Sequence, residues 1–397
     1  MTRHEIERRA YGVVYTEQAS FKDTYGGAEG IVFLECYQLV PKGIPSDTAL
    51  VFSHPVGGGA YLPMVTELAR CGNHVIYANS RYRGNDSALI MEKVVVDLAE
   101  AIRHARERLG YRRFVLGGWS GGGPLSLFYQ QQAVKPSVRA TPAGDPPDLT
   151  GLELIPAEAM LLLAAHPSRH RVLCDCIDPS VLDEQDPDRR DPELDLYAPE
   201  NPNGPPYPDA FLERYRAAQA ARVRRITATV KDRLASLRAQ GRPHDERAFV
   251  VHGTLADPRT LDPSVDPNER VPGESFLGDP RVVNNSPIGL ARYCSLRSWL
   301  SQWSLDDANA DGLRAAADVE VPALVVSNGA DNICTPGYST ALFEALASED
   351  KSELRIAGAN HYYIGSDQRE HLKRSAGECT AWLSERGLAP EQAGAAR

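Results

Sequence analysis

Gly118-Trp119-Ser120-Gly121-Gly122 follows directly on the apolar run Phe114-Val115-Leu116 and leads into a helical segment over 124–132. A buried strand that enters a tight glycine turn and leaves as a helix is the setting of a nucleophile elbow. The G-x-S-x-G pattern alone arises by chance in roughly one chain of this length in ten, so the flanking strand and helix carry the reading. The turn accounts for the glycines. A serine held on a strained turn lifts its hydroxyl above the sheet, and a Cβ two residues to either side would strike neighbouring backbone. The helix that follows aims its first N–H groups at the place where negative charge develops.

Three apolar runs precede this stretch, at 11–15, 30–36 and 49–53, and a fourth at 74–78 follows a helical segment over 61–71. Ile90, Val94, Val95, Leu98 and Ile102 then recur at helical spacing within 87–109, with Gly110 as the stop. Strands without intervening helices, then strands alternating with helices, predict an antiparallel start feeding a parallel sheet. A further buried strand is predicted over 157–165. From about 168 to 318 the rhythm breaks into a Pro- and Asp-rich stretch, a helix over 209–239, more loop and a helix over 290–305. It resumes with a strand over 323–327, a helix over 338–347, a strand over 352–356 and a helix over 368–386. An insertion of this length inside a resumed sheet reads as a cap, giving a discontinuous core of 1–168 and 319–397 around a mainly helical cap of 169–318. The tail, 389–397, is expected to lack structure.

Within the helix over 209–239, Val223, Ile226, Val230, Leu234 and Leu237 form one stripe, and arginines and Lys231 take much of the remaining surface. The stripe fits the cap's own packing first and the seam of a homodimer second. Trp299 and Trp303, four residues apart, fit a substrate-lining pair or a packed cap core.

The formal charge of −10 over 397 residues disfavours nucleic acid and anionic membrane as partners. The first residues carry no apolar leader-like run, and no run of about eighteen apolar residues exists to span a membrane. Seven cysteines, odd in number and scattered, read as reduced thiols, and a cytoplasmic location is expected.

Ser120 is a weak nucleophile at neutral pH and needs a base, which needs an orienting carboxylate. After an elbow serine the expected order is acid, then histidine. The strand over 323–327 runs into Asn328-Gly329-Ala330-Asp331, and the strand over 352–356 ends in Ala357-Gly358-Ala359-Asn360-His361. Both polar residues sit just past strand ends, where α/β sheets place their reactive loops. Asp331 is the candidate acid, with Asp175 and Asp178 as rivals; His361 is the candidate base, with His371 left to solvent. The candidate oxyanion donors are the Gly121 N–H and, from the loop Ser53-His54-Pro55-Val56-Gly57-Gly58-Gly59, the Val56 N–H first and Gly57 second. Pro55 has no N–H to offer. His54 reads as a hydrogen bonder that staples this loop. Trp119 and His166 are further candidates for the pocket wall.

His166, His170, Cys174 and Cys176 put four potential metal ligands within eleven residues. Their spacing matches no common zinc pattern, so buried thiols and a pocket-edge histidine are the preferred reading, with no metal.

Taken together, His54-Pro-Val-Gly-Gly-Gly, Gly118-Trp-Ser-Gly-Gly, Gly329-Ala-Asp331 and Asn360-His361 resemble the α/β-hydrolase superfamily over about 30–168 and 319–387. The resemblance implies an eight-stranded, mostly parallel sheet with helices on both faces, and Ser120, Asp331 and His361 meeting at its C-terminal edge under the cap. Arg81-Tyr-Arg-Gly84-Asn-Asp-Ser87 is similar to the superfamily's R-G-x-G-x-S loop but lacks its second glycine. The implied activity is hydrolysis of a carboxylic ester or lactone by a serine nucleophile, without metal or organic cofactor, and a cap this large suggests a buried pocket for a bulky apolar or aromatic small molecule. Acyl transfer and cleavage of an amide or C–C bond would reuse the same residues, and a ligand-sensing module on the same scaffold is the non-catalytic alternative.

Overall fold

In the computed structural model, which describes residues 3–18, 22, 24 and 30–389, ten strands run in chain order. They are β1 (Ile6–Thr16), β2 (Ile31–Pro41), β3 (Thr48–His54), β4 (Val75–Asn79), β5 (Arg113–Trp119), β6 (Ala159–Leu163), β7 (Ala248–Val250), β8 (Tyr293–Ser295), β9 (Ala323–Asn328) and β10 (Lys351–Ile356). Eight of them form one sheet in the order β1-β2-β4-β3-β5-β6-β9-β10. β1 and β4 both pair antiparallel to β2, and every later pairing is parallel, as the strand-only opening of the chain predicts. β4, β6 and β9 are buried along their whole length, which is why they read as unbroken apolar runs rather than alternating ones.

Helices cover both faces. Against one lie α2 (Met91–Glu107), α3 (Gly122–Val134), α8 (Gly312–Ala316) and α9 (Pro336–Ala345), around Val94, Leu98, Leu125, Phe128 and Leu342. Against the other lie α1 (Pro63–Arg70) and α10 (Gln368–Glu385), around Leu68, Cys379, Trp382 and Leu383. Because β3 and β5 are the two middle strands of the sheet, the turn after β5 opens at the centre of its C-terminal edge.

The insertion follows β6. It holds α4 (Arg169–Cys176), the long α5 (Asp209–Ala239), the β7–β8 ribbon, α6 (Pro280–Val283) and α7 (Leu296–Gln302). Val223, Ile226, Val230, Leu234 and Leu237 are buried inside the chain against Leu296, Trp299, Leu300 and Trp303. Burying each contributes about 1.5–3 kcal/mol relative to exposure, against 0.2–0.5 for a surface ion pair, so packing within the cap orients α5. The stripe is therefore not an open dimer seam. One arginine departs from the expected outer face: Arg222 is fully buried, its guanidinium donating to Glu184 and to the carbonyls of Asp178, His252 and Gly253. Ala315 and Ala316 of α8 pack in the hydrophobic cluster on the α2 and α3 face of the main sheet.

The helix expected over 290–305 is only α7, since residues 293–295 pair as a strand. Among the described residues no helix is long and apolar enough to cross a membrane. The tail expected to lack structure lies, from 390 on, outside the described residues.

Candidate active site

Ser120 closes β5 with a φ of 52°, in the left-handed region that a side-chain-bearing residue adopts only under constraint. The constraint is visible on both sides. A Cβ on Gly118 would stand 2.5 Å from Gly123 Cα, and one on Gly122 would stand 2.4 Å from the Ser53 carbonyl oxygen. The turn can be this tight only without those side chains, as the sequence predicts. Ser120 N donates to Leu163 O at 3.1 Å, which ties the elbow to β6.

Asp331 and His361 lie beyond the ends of β9 and β10, and the two loops are stitched together. Gly329 N donates to Ile356 O, Ala330 N to Ala359 O, and Asn328 Nδ2 to Asn360 O. The cap reaches in as well: Asn268 Nδ2 donates to Asp331 O, and the Glu269 carboxylate accepts from Gly358 N and Arg355. Asp331 is fully buried. Its Oδ1 accepts the N–H groups of Ile333 and Cys334, and its Oδ2 stands 2.7 Å from His361 Nδ1. The carboxylate thus accepts a hydrogen bond from His361 Nδ1–H and leaves Nε2 for another partner. His361 and Ser120 line one cavity, and the Trp119 ring packs on His361 at 4.5 Å between centroids.

A strained serine after the fifth strand, an acid after β9 and a histidine after β10, on a sheet ordered 1-2-4-3-5-6-9-10 with the cap strands set aside, decide the architecture. This is the α/β-hydrolase fold. In this hydrolase-fold chain the rival acids are committed elsewhere. Asp175 pairs with Arg259 and Tyr338, and Asp178 with Arg190 and Asn284.

No protein-family model and no curated protein matches the chain. Among solved structures it is similar to a monoacylglycerol lipase from Paleococcus ferrophilus, at 15% identity and a TM-score of 0.42 over 85% of this chain and 94% of that one. It is likewise similar to Est1E from Butyrivibrio proteoclasticus, at 12% identity and a TM-score of 0.46 over 91% and 96%. An esterase domain from Rhodothermus marinus gives 12% and 0.45 over 96% and 98%. Likenesses this remote decide nothing about chemistry, which has to come from the residues.

The cavity holds about 170 Å³, and His54, Trp119, Ser120, His166, Arg169 and His361 are on its wall. A larger groove of about 410 Å³ on the cap, beside Ile226, Val230 and Phe249, shares no residue with it. Two expected wall residues are absent. Trp299 and Trp303 are fully buried in the cap core, Trp299 with its Nε1–H donated to Thr227 Oγ1 and Trp303 beneath the Arg169 guanidinium at 4.3 Å. They support the wall rather than form it. Arg169 was not foreseen: it is buried, pairs with Asp86 at 2.6 Å, and keeps an Nε without a partner. Burial holds its pKa below the ordinary value.

Of the expected oxyanion donors, Gly121 N–H has no acceptor among the described residues. Val56 and Gly57 differ from expectation. Both N–H groups turn back onto His54 Nδ1, at 3.3 and 3.1 Å, so neither points at the serine. His54 is the loop staple that the sequence suggests, and the staple uses up the donors assigned to the oxyanion.

The four possible metal ligands of 166–176 do not converge. His166 faces Gly121, His170 bonds Ser168 and lies near Asp311, and Cys176 packs with Val172 and Leu255. The ligating atoms that do gather among the described residues are those of Asp331, Cys334 and His361, within 4.8 Å of one another. The Asp331 oxygens there are already filled by hydrogen bonds. Burial, then Asp331, push the Cys334 thiol well above its ordinary range. It therefore stays a neutral thiol.

Proposed function

We propose that the protein is a serine hydrolase acting on carboxylic esters, with Ser120 as nucleophile, His361 as base and Asp331 as the group that orients it. The observation that carries this reading is the 2.7 Å contact of His361 Nδ1 with Asp331 Oδ2, beside a serine held at positive φ on the same cavity wall. Ser120 Oγ attacks the ester carbonyl while its proton passes to His361 Nε2. The tetrahedral oxyanion takes a hydrogen bond from Gly121 N–H. Collapse breaks the bond to the alcohol, which leaves with the proton from His361, and water then repeats the sequence on the acyl-enzyme. All protons and the leaving group are accounted for by these residues and water.

The cavity is smaller than the roughly 300–1,000 Å³ usual for drug-sized ligands. A space of this size favours a short acyl group over the bulky apolar substrate that the cap's size first suggests. Lactones of small ring size fall within the same limit.

Hydrolysis of p-nitrophenyl acetate tests the reading. Wild type turns it over, and Ser120→Ala or His361→Ala lowers kcat by on the order of 10³–10⁶. A loss under about tenfold in either variant contradicts the role given to that residue.

A further inference from the structure

Gly121 poses a question that backbone geometry does not answer. Its φ of −63° and ψ of −12° are ordinary helical values, open to any residue. What excludes a side chain is a pair of imidazoles. A Cβ on Gly121 would stand 2.8 Å from His54 Nε2 and 3.3 Å from His166 Nε2. The residue after the candidate nucleophile is therefore a glycine because His54 occupies the space beside it.

The tautomer of His54 follows from its other nitrogen. Nδ1 accepts two backbone N–H groups, from Val56 and Gly57, and an atom that accepts cannot carry the ring proton. In a neutral ring the proton is then on Nε2, the atom that faces Gly121. The ring is neutral: burial, then Arg169 and His361, push its pKa down to about 3. His54 Nε2 has no hydrogen-bond partner among the described residues, and Gly121 N–H beside it has none either. His54 lies on the wall of the cavity that holds Ser120, with its Nε2 beside Gly121, while the loop N–H groups that would ordinarily complete a donor pair are turned away.

We infer that His54 is a catalytic residue, its Nε2–H serving with Gly121 N–H as the oxyanion hole. The inference rests on the serine-hydrolase reading above. A neutral imidazole suits the task. It donates a hydrogen bond to developing charge, as in triosephosphate isomerase, without an acidic proton to lose to it. The two N–H groups on Nδ1 fix the ring in place before substrate arrives.

The test separates the two ends of the ring. In His54→Asn the amide oxygen can still accept the loop N–H groups, but nothing reaches the Nε2 position. In His54→Gln an amide N–H reaches that position and the loop acceptor is lost. With p-nitrophenyl acetate, His54→Asn is expected to lose about 10²–10³ in kcat at little change in KM, and His54→Gln to recover most of it. A trifluoromethyl ketone, whose adduct with Ser120 places an oxyanion at the same point, is expected to bind His54→Asn more weakly by the same factor. Near-wild-type turnover in His54→Asn overturns the inference and leaves a loop staple. So does a loss in both variants with unchanged ketone affinity. If wild type neither hydrolyses esters nor binds the ketone, the hydrolase reading fails and the inference with it.

Discussion

His361 Nδ1 and Asp331 Oδ2 face each other at 2.7 Å in a site from which both side chains are almost wholly excluded from solvent. Asp331 spends its other oxygen on the N–H groups of Ile333 and Cys334. The carboxylate is therefore fixed on both oxygens, and its replacement tests the orienting role proposed for it.

In Asp331→Asn the amide oxygen can keep the two backbone donors, which turns the NH₂ group toward His361. That favours the tautomer with its proton on Nε2, which cannot accept from Ser120. The account predicts a fall of about 10³–10⁴ in kcat with the fold intact. Ester turnover together with the thermal melting profile checks it.

The elbow glycines are expected to fail through stability first. Gly118→Ala and Gly122→Ala each push a methyl group against backbone at 2.4–2.6 Å. A cost of about 1–3 kcal/mol follows from overpacking of this kind, alongside loss of activity. Urea midpoints for the two variants measure it.

Acid sensitivity has a defined sign. His54 is held at a pKa of about 3, and His166 well below its ordinary value, in both cases first by burial. Below pH 6.5 the unfolded chain binds protons that the folded one refuses, so stability falls as pH drops toward about 3. The melting temperature is expected to decline through this window, and less steeply in His54→Asn. A decline equally steep in that variant would remove His54 from the explanation.

The loops that carry the proposed triad were legible because each is written as an apolar strand followed by a glycine-bearing turn. That grammar is local, and α/β sheets reuse it at every reactive edge. The cap was legible only as an interruption. Trp299 and Trp303 show why: two tryptophans one helical turn apart read the same whether they face a cavity or a core. Only the Thr227 partner of Trp299 and the Arg169 guanidinium over Trp303 decide it. Helix α4 was hidden because Arg169-His170-Arg171 begins it with charge, and Arg169 joins the cavity wall only once that helix is docked. The direction of the Val56 and Gly57 N–H groups depends on loop dihedrals that residue types do not encode.

The tryptophan assignment gives its own prediction. Trp299→Phe should lower stability by about 1–3 kcal/mol through the lost Thr227 hydrogen bond and packing, with KM for p-nitrophenyl acetate unchanged. A raised KM at unchanged stability would return Trp299 to the substrate wall.

Chain length of the acyl group probes the cavity. The account predicts that kcat/KM falls more than tenfold from p-nitrophenyl acetate or butyrate to the decanoate, since about 170 Å³ cannot enclose the longer chain. A rise with chain length would contradict it.

The central claim is that Ser120 becomes covalently acylated. Treating the native chain with a fluorophosphonate and mapping the adduct by peptide mass spectrometry tests this most directly. The account predicts one adduct per chain, on the peptide containing Ser120, absent in Ser120→Ala and slowed in His361→Ala. An unlabelled wild-type chain, or an adduct that persists in Ser120→Ala, would contradict it.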